Sequence, residues 1–268
     1  MSEADRPPAG SVPPDGVSDT VARLAREDAD GPERRRLMGR LVAETATRTR
    51  HGWVARPGTV LGTVIDLLVE VAERLPVRDL DTLRAHHPDM SDDELVTRLI
   101  RNASRATATV GAAGGGIAAV EWTVPPTLLT SPVLLTAETI AVAGIELKLI
   151  GELQEVYGVP VRGTGMQRAT ALLTAWASRR GVNPLTPGRG MGAVLSTAAR
   201  KELRDRLLRR FGRNLTTLAP LLVGATVGAE LNRRATLAVG KLIRDDLRAK
   251  SPSRTVEGRV RRSLGKPD

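Results

Sequence analysis

Residues 220–240 read PLLVGATVGAELNRRATLAVG, and every fourth position in this stretch is a small or polar residue. These positions are Pro220, Gly224, Gly228, Asn232, Thr236 and Gly240. An α-helix turns once in about 3.6 residues, so a four-residue step keeps them all on nearly one face. Glycine costs a helix about 1 kcal/mol relative to alanine, and close approach of another helix is the usual reason for accepting that cost. The pattern predicts a tightly packed helix, either within one chain or at the seam of a homodimer.

The composition favours closely packed helices. The chain has 268 residues, which is ample for a core, and its hydrophobic content is 41% but its aromatic content only 2%. A core of this kind must consist of Leu, Val, Ile and Ala. Few aromatic residues also disfavour a single-strand nucleic-acid binder, which stacks bases on aromatic rings. There are no cysteines, which excludes disulfides, thiol nucleophiles and cysteine-ligated metals.

Charge is distributed unevenly along the chain. Residues 1–150 carry 17 Lys and Arg against 21 Asp and Glu, whereas residues 151–268 carry 23 against 9, a net charge of +14. A basic half can act at long range on anionic partners. Three interpretations follow: a solvated face, an anionic membrane or lipid partner, and nucleic acid as the least favoured.

Apolar periodicity and helix-terminating residues predict an all-α chain with one multi-helix domain over residues 18–248. A disordered arm (1–17) and a basic disordered tail (249–268) are predicted to flank it. Ser91 and Glu94 form a capping box that marks one helix start. Predicted helices span residues 19–27, 32–50, 60–75, 91–110, 131–157, 166–180, 192–210 and 220–248.

The centre of the predicted domain is a glycine-rich hydrophobic helical hairpin. Residues 106–145 contain two charges, Glu121 and Glu138, and a glycine run at 111–116 that predicts either a bend in the helix or a tight helix crossing. Charge-free runs of fifteen or sixteen residues are short for a membrane span, which needs roughly 20 apolar residues. A buried hairpin is therefore favoured over a monotopic or re-entrant membrane contact.

Three stretches resemble the EcsC family. They are the run from Arg105 to Gly116 with the apolar hairpin after it, Leu149 to Gly158, and Pro220 to Asn232. The resemblance covers roughly residues 60–248. It implies a bacterial protein with an accessory role near a membrane transporter, and it brings no catalytic residue. It also implies structural importance for six residues: Gly114, Gly115, Gly116, Gly224, Gly228 and Asn232.

Two carboxylates are the candidates for chemistry. Burial would raise the pKa values of Glu121 and Glu138, which suits a proton relay, a general acid or a cation ligand. The simpler interpretation is that each reaches solvent or pairs with an arginine of the basic half.

The remaining motifs give weaker indications of function. His86, His87 and Asp89, with His51 as the third histidine, are interpreted as loop residues and not as a metal site. The glycine run lacks the Lys-Ser/Thr ending of a P-loop, and no serine lies in a G-x-S-x-G elbow. Arg233 and Arg234 beside Asn232, and Arg261 and Arg262 in the tail, are candidates for contact with an anion. The sequence predicts no cofactor and no metal.

The expected function is that of a non-enzymatic accessory or scaffold protein. We expect it in the cytoplasm, with peripheral association at the inner face of the cell membrane through anionic lipid or a membrane protein complex. Two alternatives stay open: a hydrolase or lipid-modifying enzyme using Glu121 or Glu138, and a nucleic-acid-binding protein.

Overall fold

A computed structural model describes residues 16–49, 57–121, 130–163, 165–179 and 225–250. This part of the chain contains eight helices and no strand, which confirms the all-α prediction. The helices are α1 (Val17–Leu24), α2 (Gly31–Thr49), α3 (Pro57–Arg74), α4 (Leu80–His86), α5 (Asp92–Glu121), α6 (Thr130–Val156), α7 (Gly165–Arg179) and α8 (Ala225–Lys250).

Helix α6 is the centre of the molecule and packs against each of the other seven. Its apolar residues lie on all sides, as expected for a helix that is surrounded by protein, and residues 140–153 are all buried. Gly144 and Gly151 make room for neighbours, because an added Cβ would lie 2.2 Å from a Val21 methyl at Gly144 and 2.8 Å from Val77 methyls at Gly151. The part of the apolar hairpin segment that lies on α6, where its burial is described, therefore belongs to the hydrophobic core.

Helices α5 and α8 form a long antiparallel pair. Contacts along it join Gly111 with Gly228, Thr107 with Asn232, Ile100 with Gly240, and Asp93 with Arg248. The backbones meet at Gly111, where an added Cβ would lie 2.5 Å from the Gly228 carbonyl oxygen. The small-residue pattern thus forms an intramolecular contact, and Gly228, Asn232, Thr236 and Gly240 are all buried. Pro220 and Gly224 lie outside the described residues.

Of the two predictions for the glycine run, the bend is wrong, whereas a tight helix crossing is present at Gly111. Helix α5 continues through Gly111, Gly114, Gly115 and Gly116 to Glu121. Gly111 and Gly114 provide space for close contacts: the first meets the backbone of α8 and the second meets the Glu138 carboxyl on α6. Packing of α5 against both helices offsets the helix-propensity cost of these residues.

Most helix ends agree with the sequence. The Ser91–Glu94 capping box is present, with the Ser91 amide donating to Glu94 Oε2 over 2.8 Å. Gly158 ends the α6 segment with a φ of 71°, and the Val159 amide donates back to the Gln154 carbonyl.

Three boundaries differ from the prediction. Helix α1 ends at Leu24, which leaves Glu27 in a loop, and α4 was not predicted. The domain edges also shift slightly, since Val17 is helical and buried and α8 continues to Lys250. The predicted helix at 192–210 and the rest of both predicted disordered tails lie outside the described residues.

Candidate functional site: the buried polar groups of the central helix

Charged residues on the most buried helix are the outstanding chemical feature of the molecule. Helix α6 buries Glu138, Glu146, Lys148 and Glu152. Burying a charge without a partner is costly, so the partners of each group decide what it can do.

Glu138 lies where α5, α6 and α8 meet. Its side chain is buried (3% exposed), and Asn232 on α8 donates to its Oε1 over 2.9 Å. On the α5 side, Gly114 leaves room for its Oε2. Burial raises the pKa of Glu138 to about 7, although the Asn232 hydrogen bond acts in the opposite direction. Glu138 is shielded from solvent, and its hydrogen-bond partner among the described residues is Asn232 and not an arginine, contrary to the simpler interpretation of the sequence.

Glu146 lies two turns further along α6 and is fully buried. Trp176 on α7 donates its indole N–H to Glu146 Oε2 over 2.8 Å, and Thr236 on α8 donates to Oε1 over 2.8 Å. These hydrogen bonds tie α7 and α8 to opposite oxygens of one carboxylate on α6. Glu146 is therefore placed to fix how the two helices sit on the core.

A third cluster surrounds Glu27, in the loop after α1. Its carboxylate accepts from Arg78 Nη1 (2.9 Å), from Arg98 Nε (3.3 Å) and from Asn102. His87 Nε2 lies 3.3 Å from Glu27 Oε2. Burial alone would raise the pKa of Glu27, but Arg78 and the other cations outweigh burial and hold the pKa below its usual value. The cluster joins three loops to α5.

Arg78 extends this cluster to the central helix. It donates from Nε to Glu152 Oε1 over 2.7 Å and from Nη2 to Glu152 Oε2 over 3.1 Å, a two-pronged contact. Lys148, one turn before Glu152, forms an ion pair with the same carboxylate. Burial would lower the pKa of Arg78, but its two glutamates raise it overall. Burial lowers the pKa of Lys148 despite the nearby Glu152.

A cavity of about 30 Å³ opens beside these ion pairs. Its polar wall consists of Arg26, Glu27, Arg34, Arg78, Asn102, Lys148 and Glu152. Its apolar wall consists of residues on α5 and α6, with Ala25 after α1. A cavity of this volume has room for one or a few water-sized occupants. The cavity therefore suits a very small occupant and not an organic substrate.

The structure brings some of the predicted site residues together and leaves others apart. Glu138 and Asn232 meet directly, and Gly114 adjoins them, whereas the side chain of Glu121 lies outside what is described. Arg233 and Arg234 are exposed and both pair with Glu230, which has a pKa lowered to about 2 by those hydrogen bonds. Arg261, Arg262 and His51 lie outside the described residues.

The two described histidines differ in how they match the interpretation as loop residues: His87 matches it and His86 does not. His87 lies in the loop before α5 and His86 is the last residue of α4. Within the residues that the structure describes, no three His, Asp or Glu side chains are grouped to hold a metal ion.

Sequence analysis missed most of the polar cluster. Lys148 and Glu152 did carry a signal, since oppositely charged residues four apart on an otherwise apolar helix indicate a buried ion pair. Glu146 falls one residue beyond the hairpin segment as it was delimited. Glu27 and Arg78 gave no signal, because they lie in loops 51 residues apart and only the fold brings them together.

Comparisons with known proteins give no relative. No family model, no curated protein and no solved structure matches this chain. The resemblance to the EcsC family stays a prediction. None of the described helices combines the length and the apolar composition that crossing a bilayer requires.

Proposed function

We propose that this chain is a helical accessory protein without a reaction of its own, which docks electrostatically on an anionic membrane surface. The observation that carries the proposal is the net charge of +14 on residues 151–268, against −4 on residues 1–150. Anionic lipid attracts such segments by about 1 kcal/mol for each Lys or Arg near the surface.

The packing of the described residues supports docking through charge over insertion. Residues 140–153 of α6 are all buried, α6 packs against the other seven described helices, and Gly111 of α5 faces Gly228 of α8. Within residues 151–268, the described part carries nine basic and five acidic residues, a net charge of +4. The remaining +10 belongs to residues 164, 180–224 and 251–268, so these residues would supply most of the attraction.

Sedimentation with vesicles tests the proposal. Full-length protein is mixed with neutral vesicles and with phosphatidylserine-containing vesicles at low and high salt. We expect binding only to the anionic vesicles, and loss of that binding at high salt. The Arg261→Gln/Arg262→Gln variant should bind about tenfold or more weakly.

A charge-matched variant provides the control. Arg35 and Arg36 are exposed on α2 in the acidic half, and changing both to glutamine removes the same charge. This variant should bind almost as the unmodified protein does. Equal weakening by both variants would mean that only net charge matters, and absence of binding to any vesicle would refute membrane docking. Binding that survives high salt would point to insertion instead.

A carboxylate enzyme is the second candidate, favoured by the pKa of about 7 at Glu138. A general acid or base works best with a pKa near the operating pH. The small cavity in the described residues is lined by Glu27 and Glu152 and not by Glu138, which gives this candidate less support. Hydrolysis of ester or phospholipid substrates that is lost in Glu138→Gln, with folding intact, would establish it.

A further inference from the structure

The cavity beside Lys148 has an unusual charge balance. Four cations lie in or beside its wall: Arg34, Arg78, Arg98 and Lys148. Two carboxylates, Glu27 and Glu152, are shared among three of them. Arg26 also lines the cavity, but it pairs with Asp28 at the surface. Before the surface carboxylates Asp28, Asp30 and Glu33 are counted, these side chains hold two more positive than negative charges.

Arg34 is the cation of this group that makes no ion pair with Glu27 or Glu152. Its guanidinium is buried, and it donates to two neutral groups, the carbonyl oxygens of Leu24 (3.3 Å) and Arg26 (2.7 Å). These carbonyls belong to the C-terminal end of α1, whose partial negative charge favours a cation but does not neutralise one. The acidic residues nearest to it are Asp28, Asp30 and Glu33, which lie on the solvent side.

Lys148 completes the cavity wall from the opposite side. It is buried, and among the described residues its hydrogen-bond partner is Glu152. An ammonium group has three N–H donors, so one carboxylate oxygen uses only part of its capacity. Two buried cations from different helices, α2 and α6, therefore border one small space.

From this arrangement we infer that the cavity binds a small monovalent anion of the chloride class. The volume of about 30 Å³ admits a small occupant of one or a few atoms. A water molecule would fit as well, but it would leave the excess positive charge uncompensated in surroundings of low polarity. A halide satisfies the N–H donors and the charge together. The anion would link α2 to α6 and so support the loop that carries Glu27.

Thermal unfolding of the full-length protein in chloride tests this inference. Sodium chloride is titrated against sodium gluconate at constant ionic strength, because gluconate is too large for the cavity. A ligand that binds only the folded state raises Tm with concentration. We expect Tm to rise with chloride and to approach saturation, and we expect ³⁵Cl NMR signals to broaden in the presence of the protein.

Two variants should change the chloride affinity in opposite directions. Lys148→Met removes a cation from the wall and should weaken the affinity about tenfold or more. Glu152→Gln removes a carboxylate and should strengthen it by a comparable factor, although the protein itself becomes less stable. A merely structural role for the ion pair predicts lower stability in both variants without opposite shifts in chloride affinity.

Lys241→Met is the matched control, since Lys241 is exposed on α8; it should leave the chloride dependence unchanged. If Lys148→Met does not fold, the comparison of Glu152→Gln with the unmodified protein still decides the matter. Equal Tm values in chloride and gluconate would overturn the inference. So would the same chloride dependence in every variant.

Discussion

At the scale of single residues, Glu138 makes a clear prediction about pH. Its pKa is about 7 in the folded protein and 4.5 in an ordinary setting. Below pH 4.5 the carboxyl is protonated in both states. As pH rises from 4.5 to 7, the unfolded chain releases the proton while the folded protein keeps it, so the free energy of unfolding falls. Above pH 7 the ionised, buried carboxylate costs up to about 3 kcal/mol, at 1.36 kcal/mol for each pKa unit.

Glu138→Gln should remove this cost, because glutamine stays neutral and can still accept the Asn232 hydrogen bond. We expect the variant to be up to about 3 kcal/mol more stable than the unmodified protein at pH 8 and similar to it at pH 4. Urea unfolding at both pH values measures the difference. A variant that is less stable at pH 8 would show that the ionised carboxylate is well compensated.

Thr236 is the second residue with a specific prediction. Its hydroxyl donates to the fully buried Glu146, so Thr236→Val leaves a buried carboxylate oxygen with one donor fewer. We expect a loss of about 1–3 kcal/mol in the free energy of unfolding. Thr139→Val is the control, because Thr139 donates to a carbonyl of its own helix. Equal losses in both variants would mean that the Glu146 hydrogen bond contributes nothing special.

At the scale of helices, the α5–α8 crossing depends on glycine. In Gly111→Ala the new methyl would lie 2.5 Å from a backbone oxygen of Gly228, and neither backbone can move without separating the helices. We expect the free energy of unfolding to fall by about 3 kcal/mol, which is the upper end of the usual cost of overpacking a core. Gly39→Ala on α2 is the control: its added Cβ meets nothing within 4 Å, so alanine should stabilise by up to about 1 kcal/mol. Chemical denaturation of both variants tests the pair, and a tolerated Gly111→Ala would refute a rigid crossing.

Helices were predictable here because periodicity, caps and breakers act locally. The Ser91–Glu94 box began a helix and Gly158 ended one where expected, and the ladder of small residues on α8 identified a real contact. The wrong bend at Gly111–Gly116 and the correct contact on α8 were both predicted from glycine. Glycine can mean a bend or a close approach, and the sequence around it does not distinguish the two. The partner helix decides, and it lies more than a hundred residues away.

At the scale of the whole molecule, the buried polar groups were only partly predictable. Glu138 and Asn232 stood out one at a time, as a lone acid in an apolar segment and a polar residue in a glycine ladder. Their hydrogen bond joins residues 94 positions apart, and no local pattern encodes such a distance. The Glu27 cluster was harder still, since charged loop residues are normally solvated and only the assembled fold brings partners to this half-buried one.

The two kinds of buried carboxylate predict how stability of the whole molecule varies with pH. Glu27 has a lowered pKa, so the stability it contributes is present above its ordinary pKa of 4.5 and is lost as pH falls through its folded-state pKa. Glu138 acts on the other side, between pH 4.5 and about 7. Stability should therefore peak near pH 5. Glu27→Gln should make only the acid limb of the curve shallower, and Glu138→Gln only the limb above the peak.

Urea midpoints measured from pH 3 to 9 for the three proteins test this separation. Asp89→Asn is a suitable control, because Asp89 is exposed in the turn before α5 and should leave both limbs in place. Glu27→Gln should also lower stability at the peak, since Arg78 and Arg98 would lose the charge of a shared carboxylate. If Glu27→Gln instead flattened the limb above the peak, the two carboxylates would be titrating as one coupled system across α6. The assignment of the acid limb to Glu27 and of the limb above the peak to Glu138 would then be wrong.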